Sequence, residues 1–138
     1  MPSPGGAVRV REAIAYILSR SGCLHPFRLS RLLALAESRY IKLYGARLTD
    51  AVYVMGPGVF YIEGLKEVFE SDECFVKHEG DPSRGVRGCI EYKCQAPRLP
   101  ENARRVIDTV IEEYGPLDDM ELNRLVIEDE ALKGVMKG

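Results

Sequence analysis

Apolar residues fall three and four apart at Val10, Ala13, Ile14, Ile17 and Leu18, leaving Arg9, Arg11, Glu12 and Arg20 to solvent. That spacing predicts an amphipathic helix, closed by Ser21-Gly22. A longer helix is expected after His25-Pro26, with Leu29, Leu32, Leu33, Ala36, Tyr40 and Leu43 as its stripe and Gly45 as its stop. Proline suits a first helical turn, where its missing N–H costs nothing. Ala46 to Met55 has room for one helical turn after Thr49 or Asp50, and Gly56-Pro57-Gly58 breaks it. A third helix is read from Val59 to Glu70, with Tyr61, Ile62, Leu65, Val68 and Phe69 on one face and Gly64 inside it.

The period changes after Asp72. Cys74 to His78 and Cys89 to Cys94 alternate as short strands, and Glu79 to Gly88 between them is turn chemistry with little apolar besides Val86. A hairpin with a mobile tip is expected. Gln95 to Leu99 reads as a linker. Pro100-Glu101 opens a fourth helix carrying Ala103, Val106, Ile107, Val110, Ile111 and Tyr114, stopped by Gly115-Pro116. Asp118 and Glu121 form a capping box for a fifth helix, with Leu117 and Leu122 placed as its hydrophobic staple. The expected fold is mainly α (α+β): five helices with one β-hairpin, about 74–94, inserted between helices three and four. It is one domain over residues 8–127, with a disordered tail at 1–7 and a charged, fraying tail at 128–138.

Composition agrees with a globular domain. The 138 residues are 46% apolar and 29% charged, which is enough for a hydrophobic core. Net charge is −2, so no global positive field favours nucleic acid or an anionic membrane. No apolar run approaches a membrane span and no signal peptide is read at the start, so a cytoplasmic location is the expectation. Of 19 basic residues 13 are arginine, a bias compatible with a thermophilic source.

Cys74, His78, Cys89 and Cys94 are the one cluster of metal-ligand types. Cys89 and Cys94 differ by an odd number and point to opposite strand faces, so no metal site is expected. If the hairpin folds about Arg84, Cys74 lies opposite Cys94 within disulfide range. Reduced thiols are the cytosolic default and the bridge is the alternative. His25 and His78 have no nucleophile and acid arranged beside them, and the glycine loops at 56–58 and 85–88 match no phosphate-binding pattern. No cofactor and no catalytic residue is assigned. Arg84 and Arg87 at the hairpin tip, with Arg28, Arg31, Arg39 and Lys42 on helix two, would serve a winged-helix-like DNA-binding regulator, although Glu79 and Asp81 flank that tip.

Leu29-Ser30-Arg31-Leu32-Leu33-Ala34-Leu35-Ala36, then Tyr40, Tyr44-Gly45-Ala46-Arg47-Leu48-Thr49-Asp50 and Met55-Gly56-Pro57, resemble the Panacea domain, the SocA-like antitoxin domain. The helix ending in Tyr114-Gly115, followed by Met120 to Leu125, extends the resemblance over roughly residues 8 to 127. It departs at the aromatic before Gly-Pro, here Tyr53, and at a late histidine, replaced by Ile127-Glu128. The resemblance implies a non-catalytic protein-binding module that neutralises a toxin-like partner. Aromatic anchors dominate such interfaces, so Tyr40, Tyr53, Phe60 and Tyr61 around the Gly56-Pro57 break are the expected partner-binding residues. Of these, Tyr61 falls on the core side of the helix read there.

Overall fold

The computed structural model describes residues 6–137. The described residues form an α-dominant α+β fold, with six helices and two small antiparallel hairpins. In chain order these are α1 (Val10–Ser21), α2 (Pro26–Tyr44), β1 (Tyr53–Gly56), β2 (Val59–Ile62), α3 (Leu65–Ser71), β3 (Phe75–His78), β4 (Cys89–Tyr92), α4 (Glu101–Tyr114), α5 (Asp119–Ile127) and α6 (Glu130–Lys133).

Helix α2 is the axis around which the rest is laid. His25 caps it by accepting from the Phe27 N–H at 3.0 Å, Pro26 fills its first turn, and Gly45 ends it in the left-handed conformation. From Leu29 to Ser38 every residue is buried, because α1, α4, α5, α6 and β2 pack around it. A helix buried all round must satisfy its polar side chains internally. Ser38 accordingly donates to Asp129 at 2.7 Å and Arg31 donates to Asn123 at 3.0 and 3.1 Å. Leu43, expected in the stripe, lies beyond this sleeve and is exposed.

The expected third helix is half strand. Tyr53–Gly56 pairs with Val59–Ile62, Tyr53 facing Ile62 and Gly56 facing Val59. Pro57 and Gly58 are the two loop residues, and Gly58 has φ +73°, the Pro-then-Gly order that a type II turn requires. Side chains along β2 therefore alternate, which buries Phe60 and Ile62 and exposes Val59 and Tyr61. Helix α3 starts only after Gly64, at Leu65. Gly64 precedes the helix instead of lying within it.

The second hairpin is where the sequence puts it, one residue out of the expected register. Phe75 faces Tyr92, so Lys93, not Cys94, pairs with Cys74 on the backbone. Cys94 bends back just past the strand and is disulfide-bonded to Cys74, with Cα atoms 5.3 Å apart. A second disulfide joins Cys23, in the α1–α2 turn, to Cys89 on β4 at 5.4 Å. The tip is a structured turn: Asp81 caps a 3-10 turn over Pro82–Arg84, and the Asp81 N–H donates to the Val86 carbonyl at 2.8 Å.

The expected tails are also corrected. Residues 1–5 lie outside the described residues, but the Ala7 and Val8 N–H groups donate to the carbonyls of Arg47 and Leu48 at 3.2 and 2.9 Å. At the other end Asp129 caps α6, Leu132 is fully buried, and Lys137 pairs with the backbone of Tyr53 and Met55. Asp118 accepts from the Glu121 N–H, while the Glu121 carboxylate turns to Arg124 and leaves the capping box one-sided.

The two disulfides span 66 and 20 residues. Restriction of the unfolded chain grows with loop length, giving about 4 kcal/mol for the longer and about 3 kcal/mol for the shorter bridge. Denaturant unfolding of Cys23→Ser/Cys89→Ser and of Cys74→Ser/Cys94→Ser, each with the other bridge intact, should show the first pair as the more destabilised. Equal stability with the oxidised wild type would contradict this.

Candidate functional site

Between the two hairpins an open cleft of about 480 Å³ reaches down to α2. Phe27 and Arg31 of α2, Phe60 and Ile62 of β2, Leu65 and Phe69 of α3 and Ile90 of β4 build its apolar walls, with Tyr61, Lys66, Glu70 and Lys77 nearer solvent. Its volume and its apolar lining with a few polar groups suit a binding site.

One carboxylate places the β1–β2 wall. Glu37 is fully buried on α2. It accepts from the Thr49 hydroxyl at 2.6 Å, the Tyr53 hydroxyl at 2.9 Å, Arg47 Nε at 3.2 Å and the backbone N–H groups of Leu48 and Thr49. Tyr53, expected as a surface anchor, is instead fully buried, and burial together with Glu37 raises its phenol well above the ordinary value. It stacks on Phe60 at 6.1 Å, so the first residue of β1 fixes β2 through both its hydroxyl and its ring.

Arg31 is 6% exposed and forms part of the cleft wall. Its guanidinium carbon lies 3.7 Å from the centre of the Phe27 ring and 4.8 Å from that of Phe60. Its hydrogen-bond acceptors are the neutral oxygens of Asn123 and Ser30. Burial pulls its pKa down to about 10. A guanidinium so placed is a fixed cation with directed N–H donors in the wall of an apolar recess.

The other expected residues separate into inside and outside. Phe60 is buried and faces the cleft, while Tyr61 is 49% exposed on its rim, the reverse of a core Tyr61. The difference is one of period: a helix puts residues 61 and 65 on one face, whereas this strand exposes 59 and 61. Tyr40 is half-buried against Tyr44 at 4.7 Å, away from the cleft lining. Gly56 and Pro57 form the hairpin turn. The sequence signal for this wall was two aromatic and β-branched runs flanking a two-residue loop.

The basic residues considered for nucleic acid turn inward or are paired. Arg28 binds Asp119 at 2.9 Å, Arg39 binds Glu113 at 2.7 Å and Lys42 binds Asp129 at 3.2 Å. Arg87 meets Asp119 and the His25 ring, and Arg84 lies 3.6 Å from Asp81. The Cys74, His78, Cys89 and Cys94 set does not converge: the thiols are in disulfides and His78 contacts Glu91 at 2.9 Å. Among the described residues no group of three or more His, Cys, Asp or Glu is placed to hold a metal. No described helix is long and apolar enough to cross a membrane.

No family model matches the chain, and no curated protein and no solved structure matches it.

Asp119 joins α5 to both the N-terminus of α2 and the hairpin tip. Burial pushes its carboxyl up, but hydrogen bonds from Arg28 and Arg87 outweigh this and hold it below the ordinary 3.8. Its stabilisation is complete above that value and is lost as pH falls through the lowered one. Melting temperature should therefore fall more steeply from about pH 5 to about pH 2 in the wild type than in Asp119→Asn. Parallel profiles would contradict the assignment.

Proposed function

We propose that this chain is a non-catalytic binding module that masks a partner protein by taking part of it into the cleft. The observation that carries this reading is the cleft itself: an apolar recess open to solvent, with Tyr61 exposed at its rim and Val59 exposed on the same strand. Open apolar surface of this kind marks a place where something docks. The cleft's polar side chains are Ser30, Arg31, Tyr61, Lys66, Glu70 and Lys77. The Ser30 hydroxyl is engaged with the Phe27 carbonyl at 2.8 Å and with Arg31 at 3.1 Å, so no base stands ready to make it a nucleophile. The resemblance to the Panacea domain supplies the particular form of the proposal, neutralisation of a toxin-like partner as an antitoxin.

A cytoplasmic location belongs to the same proposal, and the disulfides qualify it. Intracellular disulfides are a feature of hyperthermophiles. The winged-helix reading has less to support it, because Arg84 and Arg87 face carboxylates of this chain instead of standing free for phosphates.

The test is co-expression with the product of the adjacent gene. That product should arrest growth alone and lose its effect when this chain is present. Val59→Asp with Tyr61→Asp should remove the protection while leaving the melting temperature within a few degrees, since both side chains are exposed. A double variant that protects fully, or an adjacent product that neither arrests growth nor binds this chain, would contradict the proposal. So would salt-sensitive duplex binding abolished by Arg84→Ala with Arg87→Ala.

A further inference from the structure

We propose that the cleft receives an extended polypeptide segment, which adds as a strand to the outer edge of β2 and sets an aspartate or glutamate carboxylate, flanked by apolar residues, on Arg31. This rests on the binding-module reading and names the chemistry of its partner.

The Lys137 N–H donates to the Tyr53 carbonyl at 2.8 Å and the Met55 N–H donates to the Lys137 carbonyl at 3.1 Å, so Tyr53 and Met55 turn their backbone groups away from β2. Their opposite numbers, Ile62 and Phe60, then turn theirs away from β1. Among the described residues β2 pairs with β1 alone, which leaves the N–H and C=O groups of Phe60 and Ile62 without a strand partner where these two largely buried residues border the cleft. Phe60, Tyr61 and Ile62 all line the cleft. Side chains on a strand alternate, so three consecutive residues border one recess when the strand meets it edge-on. An unpaired edge is a template for another backbone, and main-chain pairing there requires a polypeptide.

Arg31 is the one buried cation among the described residues; Asp119 acts on its charge from beyond ion-pair distance, and no described carboxylate forms an ion pair with it. Its bonds to Asn123 and Ser30 use three of the five guanidinium N–H groups. Phe27 and Phe60 against the guanidinium restrict its motion, which lowers the entropy cost of receiving a ligand. Lys66 and Lys77 border the cleft, in loose, exposed ion pairs with Glu70 at 3.9 Å and Glu79 at 3.7 Å, and of those two acids Glu70 alone lines it. A singly charged carboxylate balances this site at a smaller desolvation cost than a phosphate would.

Linear dodecapeptides displayed on phage, selected on the full oxidised chain, provide the probe, and anisotropy of the synthesised winners provides the affinity. Enriched sequences should hold an acidic residue within an apolar stretch. Exchanging that acid for its amide should weaken binding about 30-fold or more, as should Arg31→Met. Lys66→Glu with Lys77→Glu, at exposed positions, should weaken binding about tenfold with an unchanged melting temperature. Backbone N-methylation of the peptide should abolish binding at one set of alternate positions and spare the other. Affinity indifferent to the acid, to the two lysines or to the N-methyl parity would overturn the inference. Binding of 4-phenylbutyrate through Arg31 with no peptide selected would also overturn it, in favour of a small free acid. Partner masking that survives Arg31→Met would overturn this inference alone, whereas acidic peptides bound without any masked partner would overturn the binding-module reading alone.

Discussion

A single buried carboxylate organises the half of this molecule that carries the cleft. Glu37 sits at the centre of α2 with no exposed surface, where an unpaired charge would be prohibitive. The chain resolves this by wrapping Arg47, Leu48, Thr49 and Tyr53 around it. Arg47 also donates to the Ala51 carbonyl at 2.6 Å, so the charged group and the loop it belongs to hold one another. A segment of irregular backbone between α2 and β1 thereby acquires a defined path. Tyr53 leaves that path as the first residue of β1, and everything from there to Ile62 follows from strand pairing.

The remaining contacts reinforce the same region from outside. The start of the described chain lies on the 47–48 backbone, and its end lies on β1 through Lys137. Cys23–Cys89 ties the α1–α2 turn to β4, and Leu24 pairs with Ile90 beside it. Phe27 and Ile90, on opposite sides of that junction, are two of the cleft's walls. Two of the walls of the cleft are thus fastened in different ways: β1–β2 to α2, by the Tyr53–Glu37 hydrogen bond, and β4 to the turn before α2, by a disulfide and a backbone bridge. Such a frame suits recognition, because a recess whose walls are already fixed loses little entropy when it is filled.

Helices α1, α2, α4 and α5 were legible because their apolar spacing, caps and glycine stops all agree, and the β3–β4 hairpin because its period changed abruptly. The β1–β2 hairpin was not, since Tyr61, Ile62, Leu65, Val68 and Phe69 satisfy a helical period as well as a strand-then-helix arrangement. The strand arrangement brings the Tyr53 hydroxyl onto Glu37, a contact made 16 residues away that no local pattern announces. Arg31 and Glu37 were hidden for a related reason. On an amphipathic helix they read as solvent-facing charges, and only the helices packed on the far side of α2 make them internal. Cys23 had no sequence neighbour to suggest a partner. Residues 128–137 looked like a charged tail because Leu132 is one buried apolar position among acids and lysines.

The most direct test of this account is native-state hydrogen exchange on Glu37→Gln, which keeps the shape of the side chain and removes its charge. The amides of Leu48, Thr49 and the β1–β2 ladder should lose protection relative to the wild type, while those of α1 and α4 change far less. Unchanged protection across residues 47–62, or a uniform loss over the whole chain, would contradict the claim that this one carboxylate sets the wall of the cleft.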